Sequence, residues 1–264
     1  MDLSSAIDYV KKNGSVVERA YLGMILEEMA PPMFEPLVSP YQFDNGAWRY
    51  PADETRVASV GATIDWIRLL INVRMMGTEL IGKSADFLAE NQGADGDWYE
   101  TAGKLDVSPQ SWLSEAPDAN RLYFTAAAAA VLVGAGYVSS ACTVAAAEYL
   151  DRWRADRGAF PGFARTVWAV LPVAAARFSY DSDLFLGNYG RAGETVPELS
   201  LDACCWALDM CSYAGLGPGD AVVDGVIERL ASLLGPGGLP RDPENQGPGI
   251  IADVIRVVKR SGIC

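Results

Sequence analysis

The sequence contains no histidine. A Ser-His-Asp triad, a Cys-His dyad, a His-ligated zinc and an imidazole proton shuttle are therefore excluded. Any proton transfer falls to Asp, Glu, Tyr, Cys or Lys. Positive charge is scarce: 21 Lys and Arg stand against 34 Asp and Glu, for a net charge of −13 and a pI near 4.4. A surface of that sign repels phosphate backbones, so no nucleic-acid partner is expected. Disulfides are not expected either. The five cysteines, Cys142, Cys204, Cys205, Cys211 and Cys264, are odd in number and clustered. The longest apolar run, Thr125 to Tyr137, falls short of the ~20 residues of a membrane span. The opening Met1-Asp2-Leu3-Ser4 lacks the charged start and apolar stretch of a secretory leader. Together these absences lead to the expectation of a soluble, cytoplasmic protein.

Alternating strand patterns are also nearly missing, and what remains is helical. Apolar periodicity and Gly/Pro punctuation predict helices over 2–12, 16–30, 54–75, 79–92, 118–135, 139–154, 163–177, 199–214, 219–234 and 249–260. A longer loop follows roughly every second helix, at 31–53, 93–117, 155–162 and 235–248. Each holds a Gly and, two residues on, an aromatic or Leu. These are Gly46-Ala47-Trp48, Gly96-Asp97-Trp98, Gly158-Ala159-Phe160 and Gly237-Gly238-Leu239. The recurrence, every about 50–80 residues, marks a helix–helix–loop repeat.

The fullest copy runs from Lys83 through Gln92 and Gly96 to Trp98, and Gln42 to Trp48 is a second. Tyr149 through Phe160 and Leu230 through Leu239 are degenerate copies. The pattern resembles the QW motif of triterpene cyclases of the squalene–hopene type and the related repeats of protein prenyltransferase β subunits. Physically, the Gln amide serves free groups at a helix end and the Trp pins the loop, so both are scaffold residues. The resemblance implies an all-α fold, a single α/α toroid over residues 1–264, with inner helices around an apolar cavity.

Cyclases of that family protonate an alkene or epoxide from a DxDD segment. Here Leu199 to Asp209 resembles that segment with only its last Asp, Asp202, retained. Asp181-Ser182-Asp183-Leu184, in a segment expected to be a loop over the cavity mouth, is a second partial match. Helical spacing adds that Asp202, Trp206, Asp209 and Tyr213 share one stripe. Asp202 and Asp209 are thus the candidate catalytic carboxylates. Trp206, Tyr213, Trp168, Trp66, Tyr123, Phe124 and Asp183 are the candidate substrate-binding residues, the aromatics by cation–π attraction to a carbocation. Asp202-Ala203-Cys204 also resembles the Asp-x-Cys of the prenyltransferase zinc site, but that site needs a His, so no metal ligand set is assigned. No cofactor is expected, with Mg²⁺ admitted only for a diphosphate substrate.

The expected function is cyclisation of a small isoprenoid or meroterpenoid without DxDD. Two alternatives stand beside it. One is other isoprenoid chemistry in the same cavity: diphosphate ionisation, prenyl transfer or pericyclic cyclisation. The other is a non-catalytic toroid that binds a lipid or a partner protein. The sequence sets no oligomeric state.

Overall fold

A computed structural model describes residues 2–50, 56–107, 116–157, 160–161, 163–240 and 246–262. Among these residues there are thirteen α-helices, isolated β-bridges and no strand, which is the all-α class expected. No helix is long and apolar enough to cross a membrane. The helices are α1 (Ser4–Asn13), α2 (Val16–Ile25), α3 (Pro31–Val38), α4 (Val60–Asn72), α5 (Glu79–Glu90), α6 (Ala102–Val107), α7 (Pro117–Gly134), α8 (Ala141–Arg157), α9 (Ala164–Arg177), α10 (Asp183–Thr195), α11 (Leu201–Tyr213), α12 (Ala221–Leu233) and α13 (Pro248–Ser261).

Three helices fall where loops are predicted. α3 opens on Pro31-Pro32, where proline's missing N–H and fixed φ suit a first turn. The predicted helix 16–30 stops short because Glu27 takes φ 62°, and the chain restarts as α3. The short α6 occupies part of the predicted loop 93–117. The segment read as a loop over a cavity mouth is α10: the Ser182 hydroxyl accepts the N–H of Phe185, and Asp183 stands in the first turn. Its glycines at 187, 190 and 193 disguise the helix.

The chain forms two compact units, one of residues 40–192 with 213–215, the other of 1–39, 193–212 and 216–264. In the first, α7 packs between α4 and α9, while α5 lies against α4 and α8 against α7 and α9. Every residue of α7 from Phe124 to Val133 is buried. A helix flanked on both sides has no solvent stripe to keep polar, and its run of alanines lets the neighbouring helices close in. α5 by contrast buries one stripe, Leu80, Ile81, Ser84, Ala85, Phe87 and Leu88. The unit therefore alternates inner helices (α4, α7, α9) with outer ones (α5, α8). In the second unit, the first and last helices of the chain, α1 and α13, pack on each other and on α2.

The Gln-Gly-Trp loops bind this alternation together. Gln42 Nε2 donates to the carbonyls of Gly46 (3.2 Å) and Leu80 (2.9 Å); Gln92 Nε2 donates to those of Gly96 (2.9 Å) and Cys142 (2.8 Å). Leu80 and Cys142 are each the second residue of the next outer helix. The Trp48 N–H reaches Thr63 Oγ1 at 3.0 Å and the Trp98 N–H reaches Thr125 Oγ1 at 2.9 Å, one threonine on each inner helix. Gly46 and Gly96 have φ +85° and +91°. A Cβ on them would lie 2.0 Å from the Lys83 carbonyl oxygen and 2.4 Å from that of Ala145, each the fifth residue of an outer helix. One loop thus ties its own turn, an inner helix and an outer helix.

The C-terminal copy keeps this frame in a register one residue later than Gly237-Gly238-Leu239. The Gly235 N–H donates to the Leu239 carbonyl at 2.7 Å, as Phe43 does to Ala47 and Gly93 to Asp97 at 2.8 Å. Leu234 bridges Pro240 as Gln42 bridges Trp48, so Gly238 is the counterpart of Gly46 and Gly96. A Cβ on Gly238 would meet Leu3 at the start of α1 at 2.6 Å. In the remaining copy Gly158 and Ala159 lie outside the described residues; Phe160 is buried and its carbonyl accepts from Arg191.

Candidate functional site

A cavity of about 500 Å³ opens where α4 and α9 begin, beside the first half of α7. α4 contributes its N-cap Ser59 and then Gly61, Ile64 and Asp65; α9 contributes its N-cap Phe163, Ala164 and Arg165. Tyr123 and Phe124 of α7, Tyr50, Glu100 and Lys104 complete the lining. The aromatic wall is continuous: Tyr123 meets Phe124 at 5.4 Å and Phe163 edge-on at 5.8 Å between ring centroids.

Glu100 looks catalytic by type and burial, but its bonds are structural. Its carboxylate accepts from Ser59 Oγ (2.8 Å), the Val60 N–H (2.8 Å), the Gly61 N–H (3.2 Å) and the N–H of Thr101 (2.8 Å). It caps α4 and meets the positive end of that helix. Asp65 is placed differently. It lies on the open side of α4, and Tyr50 donates its hydroxyl to Asp65 Oδ2 at 2.8 Å. Tyr50 is 37% exposed as a residue; desolvation at its hydroxyl, then the charge of Asp65, raise the phenol above its ordinary range. The Tyr123 phenol is raised by burial and by Asp65, while Arg165, hydrogen-bonded to it, and Arg68 pull it back. Both phenols are neutral donors at pH 7.

Two of the predicted substrate-binding residues, Tyr123 and Phe124, line this cavity. Trp66 does not: it stacks on Trp48 at 4.6 Å and donates Nε1–H to the Arg49 carbonyl, so it belongs to the repeat scaffold. Trp168 is buried in α9 away from the lining. Tyr213 lies over Gly134, where a Cβ would come within 2.9 Å of the ring. Asp183 is exposed, with Arg154 at 3.8 Å. Asp202, Trp206 and Asp209 lie in the second unit and do not share one environment. Trp206 and Asp209 are buried, while Asp202 is half-buried and accepts from Ser200 Oγ at 2.5 Å.

Asp209 takes both terminal nitrogens of Arg256. With both oxygens engaged as acceptors by a buried guanidinium, Asp209 is turned to Arg256, and the proton-donor role foreseen for it does not fit these surroundings. Among the described residues no three Cys, Asp or Glu converge as a metal-binding group.

Asp65 is the residue that sequence reading passes over. The signal is present: Gly61, Ile64, Asp65 and Arg68 fall at i, i+3, i+4 and i+7 of α4, and Asp65 and Arg68 are that helix's charged residues. Arg165 and Glu100 are visible in sequence only as members of a scattered set of charges.

Fold and site together define an all-α protein of paired helices with an aromatic-walled cavity at the helix N-termini. No protein-family model and no curated protein matches the sequence. Fifteen solved chains match in structure. One of them is the crystal structure of a protein from Actinoplanes, with a TM-score of 0.61 at 16% identity, covering 99% of this chain and 100% of that one. At that identity the likeness concerns the fold alone.

Proposed function

We propose that this chain is an enzyme acting on a small, largely apolar molecule of isoprenoid type in the cavity beside α4, α7 and α9. In this reading Asp65 and Tyr50 form its proton-transferring pair. One observation carries the reading: a carboxyl group with a phenol as its donor opens into an aromatic-walled space of about 500 Å³. That size falls in the roughly 300–1,000 Å³ range of small-molecule sites.

The pair favours one direction of proton transfer. The Tyr50 phenol, raised by burial and by Asp65, is too weak an acid to protonate an unactivated alkene. Asp65, accepting the Tyr50 hydroxyl, is placed to take a proton and Tyr50 to relay it or to hold a developing oxyanion. The reading is therefore a base-assisted isomerisation or cyclisation in which the aromatic wall shapes the chain, instead of the DxDD-type protonation. Asp65 takes the catalytic place that sequence reading gave to Asp202 and Asp209. The toroid is part of the same proposal, supported by the inner–outer alternation in the first unit and by the packing of α1 on α13 in the second.

The test is incubation with a panel of small isoprenoid alcohols, acids and diphosphates in D₂O, followed by mass spectrometry. Conversion or deuterium uptake is expected with the wild type. It is expected to fall at least about a hundredfold in Asp65→Asn with the fold retained. An Asp65→Asn enzyme of undiminished turnover removes Asp65 from the mechanism.

A further inference from the structure

We infer that Trp66 is a positioning residue: through the backbone of Arg49 it holds the Tyr50 hydroxyl on Asp65. The inference rests on the reading of Tyr50 and Asp65 as the working pair and adds the element that orients them. Two side-chain hydrogen bonds cross between the loop and α4. Tyr50 Oη donates to Asp65 Oδ2 at 2.8 Å, and Trp66 Nε1 donates to the Arg49 carbonyl oxygen at 3.0 Å. The partners are consecutive on both sides, 49 and 50 in the loop, 65 and 66 in the helix. Successive residues of a helix point about 100° apart. Asp65 therefore turns to the open side while Trp66, buried, turns to the loop.

The crossing matters because a peptide unit is rigid. The Arg49 carbonyl and the Tyr50 N–H share one plane, so a donor that fixes the carbonyl also fixes where the Tyr50 Cα stands. The loop is tied step by step up to this point. The Trp48 N–H is on Thr63 Oγ1, the Trp48 carbonyl takes the Ser59 N–H at 3.2 Å, and the Arg49 N–H reaches the Tyr41 carbonyl at 3.1 Å. The Trp66 bond extends the series by one carbonyl, to the peptide unit that carries Tyr50. The indole is itself held in place, stacked on Trp48 at 4.6 Å and on Tyr41 at 5.8 Å between ring centroids.

Tyr50 needs such a support. It lines the cavity yet is exposed, so its phenol has water as an alternative partner and its side-chain torsions are free to turn. A hydrogen bond made under those conditions contributes little unless the donor is already held in place. Fixing the Tyr50 Cα removes part of that freedom before a ligand arrives, as a proton relay requires. Trp66 does this from behind: it is not among the residues that line the cavity.

The test follows the phenols of the full chain by NMR as pH rises, with tyrosine carrying ¹³C at Cζ; Tyr50 is the signal lost in Tyr50→Phe. In the wild type its phenol is expected to ionise above the ordinary range. In Trp66→Phe it should ionise closer to an ordinary phenol. The same is expected when benzothienylalanine replaces Trp66, since this analogue keeps the stack and has sulfur in place of the N–H. Trp48→Phe is the control. It thins the same stack and loses the bond to Ser84, so it should lower Tm while leaving the Tyr50 titration as in the wild type. In turnover, both Trp66 variants should lose at least about tenfold in kcat, with KM changed by less than about twofold. An unchanged Tyr50 titration in the sulfur analogue overturns the inference. So does an equal shift in Trp48→Phe, which reduces the effect to packing. A titration that moves as expected, with full turnover kept in Asp65→Asn, leaves the positioning standing and removes the proton-transfer reading. A wild-type Tyr50 that ionises as an ordinary phenol overturns both.

Discussion

Asp209 accepts both terminal nitrogens of Arg256, Nη1 on Oδ1 at 2.7 Å and Nη2 on Oδ2 at 2.9 Å, with neither side chain more than 5% exposed. Arg256 Nε donates to Tyr21 Oη at 3.0 Å and to Asp253 at 3.3 Å, and Tyr21 donates to Asp253 at 2.6 Å. Burial opposes the guanidinium charge, but Asp209, then Tyr21 and Asp253, outweigh it and hold Arg256 well above its ordinary range. The network joins α2, α11 and α13. Asp209→Ala leaves a buried guanidinium without its main partner and is expected to cost about 3–5 kcal/mol, read from urea unfolding. Asp209→Leu combined with Arg256→Met should recover most of that loss, because no charge is then left buried. A loss under about 1 kcal/mol for Asp209→Ala removes the pair from the stability of the fold.

The repeat loops make a second prediction about stability. Gly96 has φ +91°, and a Cβ there would lie 2.4 Å from the Ala145 carbonyl oxygen. Gly77 has φ +80° with nothing within 4 Å. Gly77→Ala therefore bears backbone strain alone, about 1–2 kcal/mol. Gly96→Ala must in addition push α8 away from the loop, and should lose roughly 3 kcal/mol or more and lower Tm accordingly. Equal losses at the two positions contradict the proposed docking of the Gly96 loop on α8.

The contrast between these loops and the site explains what a sequence discloses. Gln92, Gly96 and Trp98 lie within seven residues, and each needs its chemical type, so the motif is readable along the chain. The copy at Leu234–Pro240 keeps the backbone frame while losing both Gln and Trp, so the sequence alone places its register one residue early. α3 and α10 were hidden by prolines and glycines that their first turns and open faces tolerate. The cavity is harder still. Tyr50, Asp65, Glu100, Tyr123 and Arg165 are spread over more than a hundred residues, and only the side-by-side packing of α4, α7 and α9 brings them together. Asp202 and Asp209 share a stripe, but a stripe does not say what faces it. Asp209 faces Arg256, which is 47 residues away.

Alkaline pH should unfold the protein through groups that burial keeps protonated. Burial pushes the Cys204 and Cys211 thiols up to about 12, and raises the Tyr123 phenol. In the unfolded chain the thiols ionise near 9 and the phenol near 10. The folded state therefore keeps protons that the unfolded state sheds. The contribution is complete below about pH 9 and declines as pH rises toward 12. Urea midpoints at about pH 8 and pH 11 should show the fall, and Cys204→Ala with Cys211→Ala should flatten it. The same burial predicts that iodoacetamide at about pH 8 leaves both thiols unmodified until the chain unfolds. Rapid alkylation of the folded protein at either position contradicts it.

Glu100 distinguishes a residue that builds the cavity from one that works in it. Its Oε1 takes the N–H groups of Val60 and Thr101, and its Oε2 takes Ser59 Oγ and the Gly61 N–H. Glu100→Gln keeps the shape, weakens the match to the helix end, and presents an amide N–H₂ to donors on one side. Glu100→Ala removes every acceptor. Losses of about 1–2 kcal/mol and about 3 kcal/mol respectively are expected, in that order. If Glu100 only positions α4, Glu100→Gln should shift any turnover no more than its stability loss predicts, with an unchanged pH profile. A pH profile that loses one ionisation in Glu100→Gln, with Asp65 intact, transfers the proton-handling role from Asp65 to Glu100.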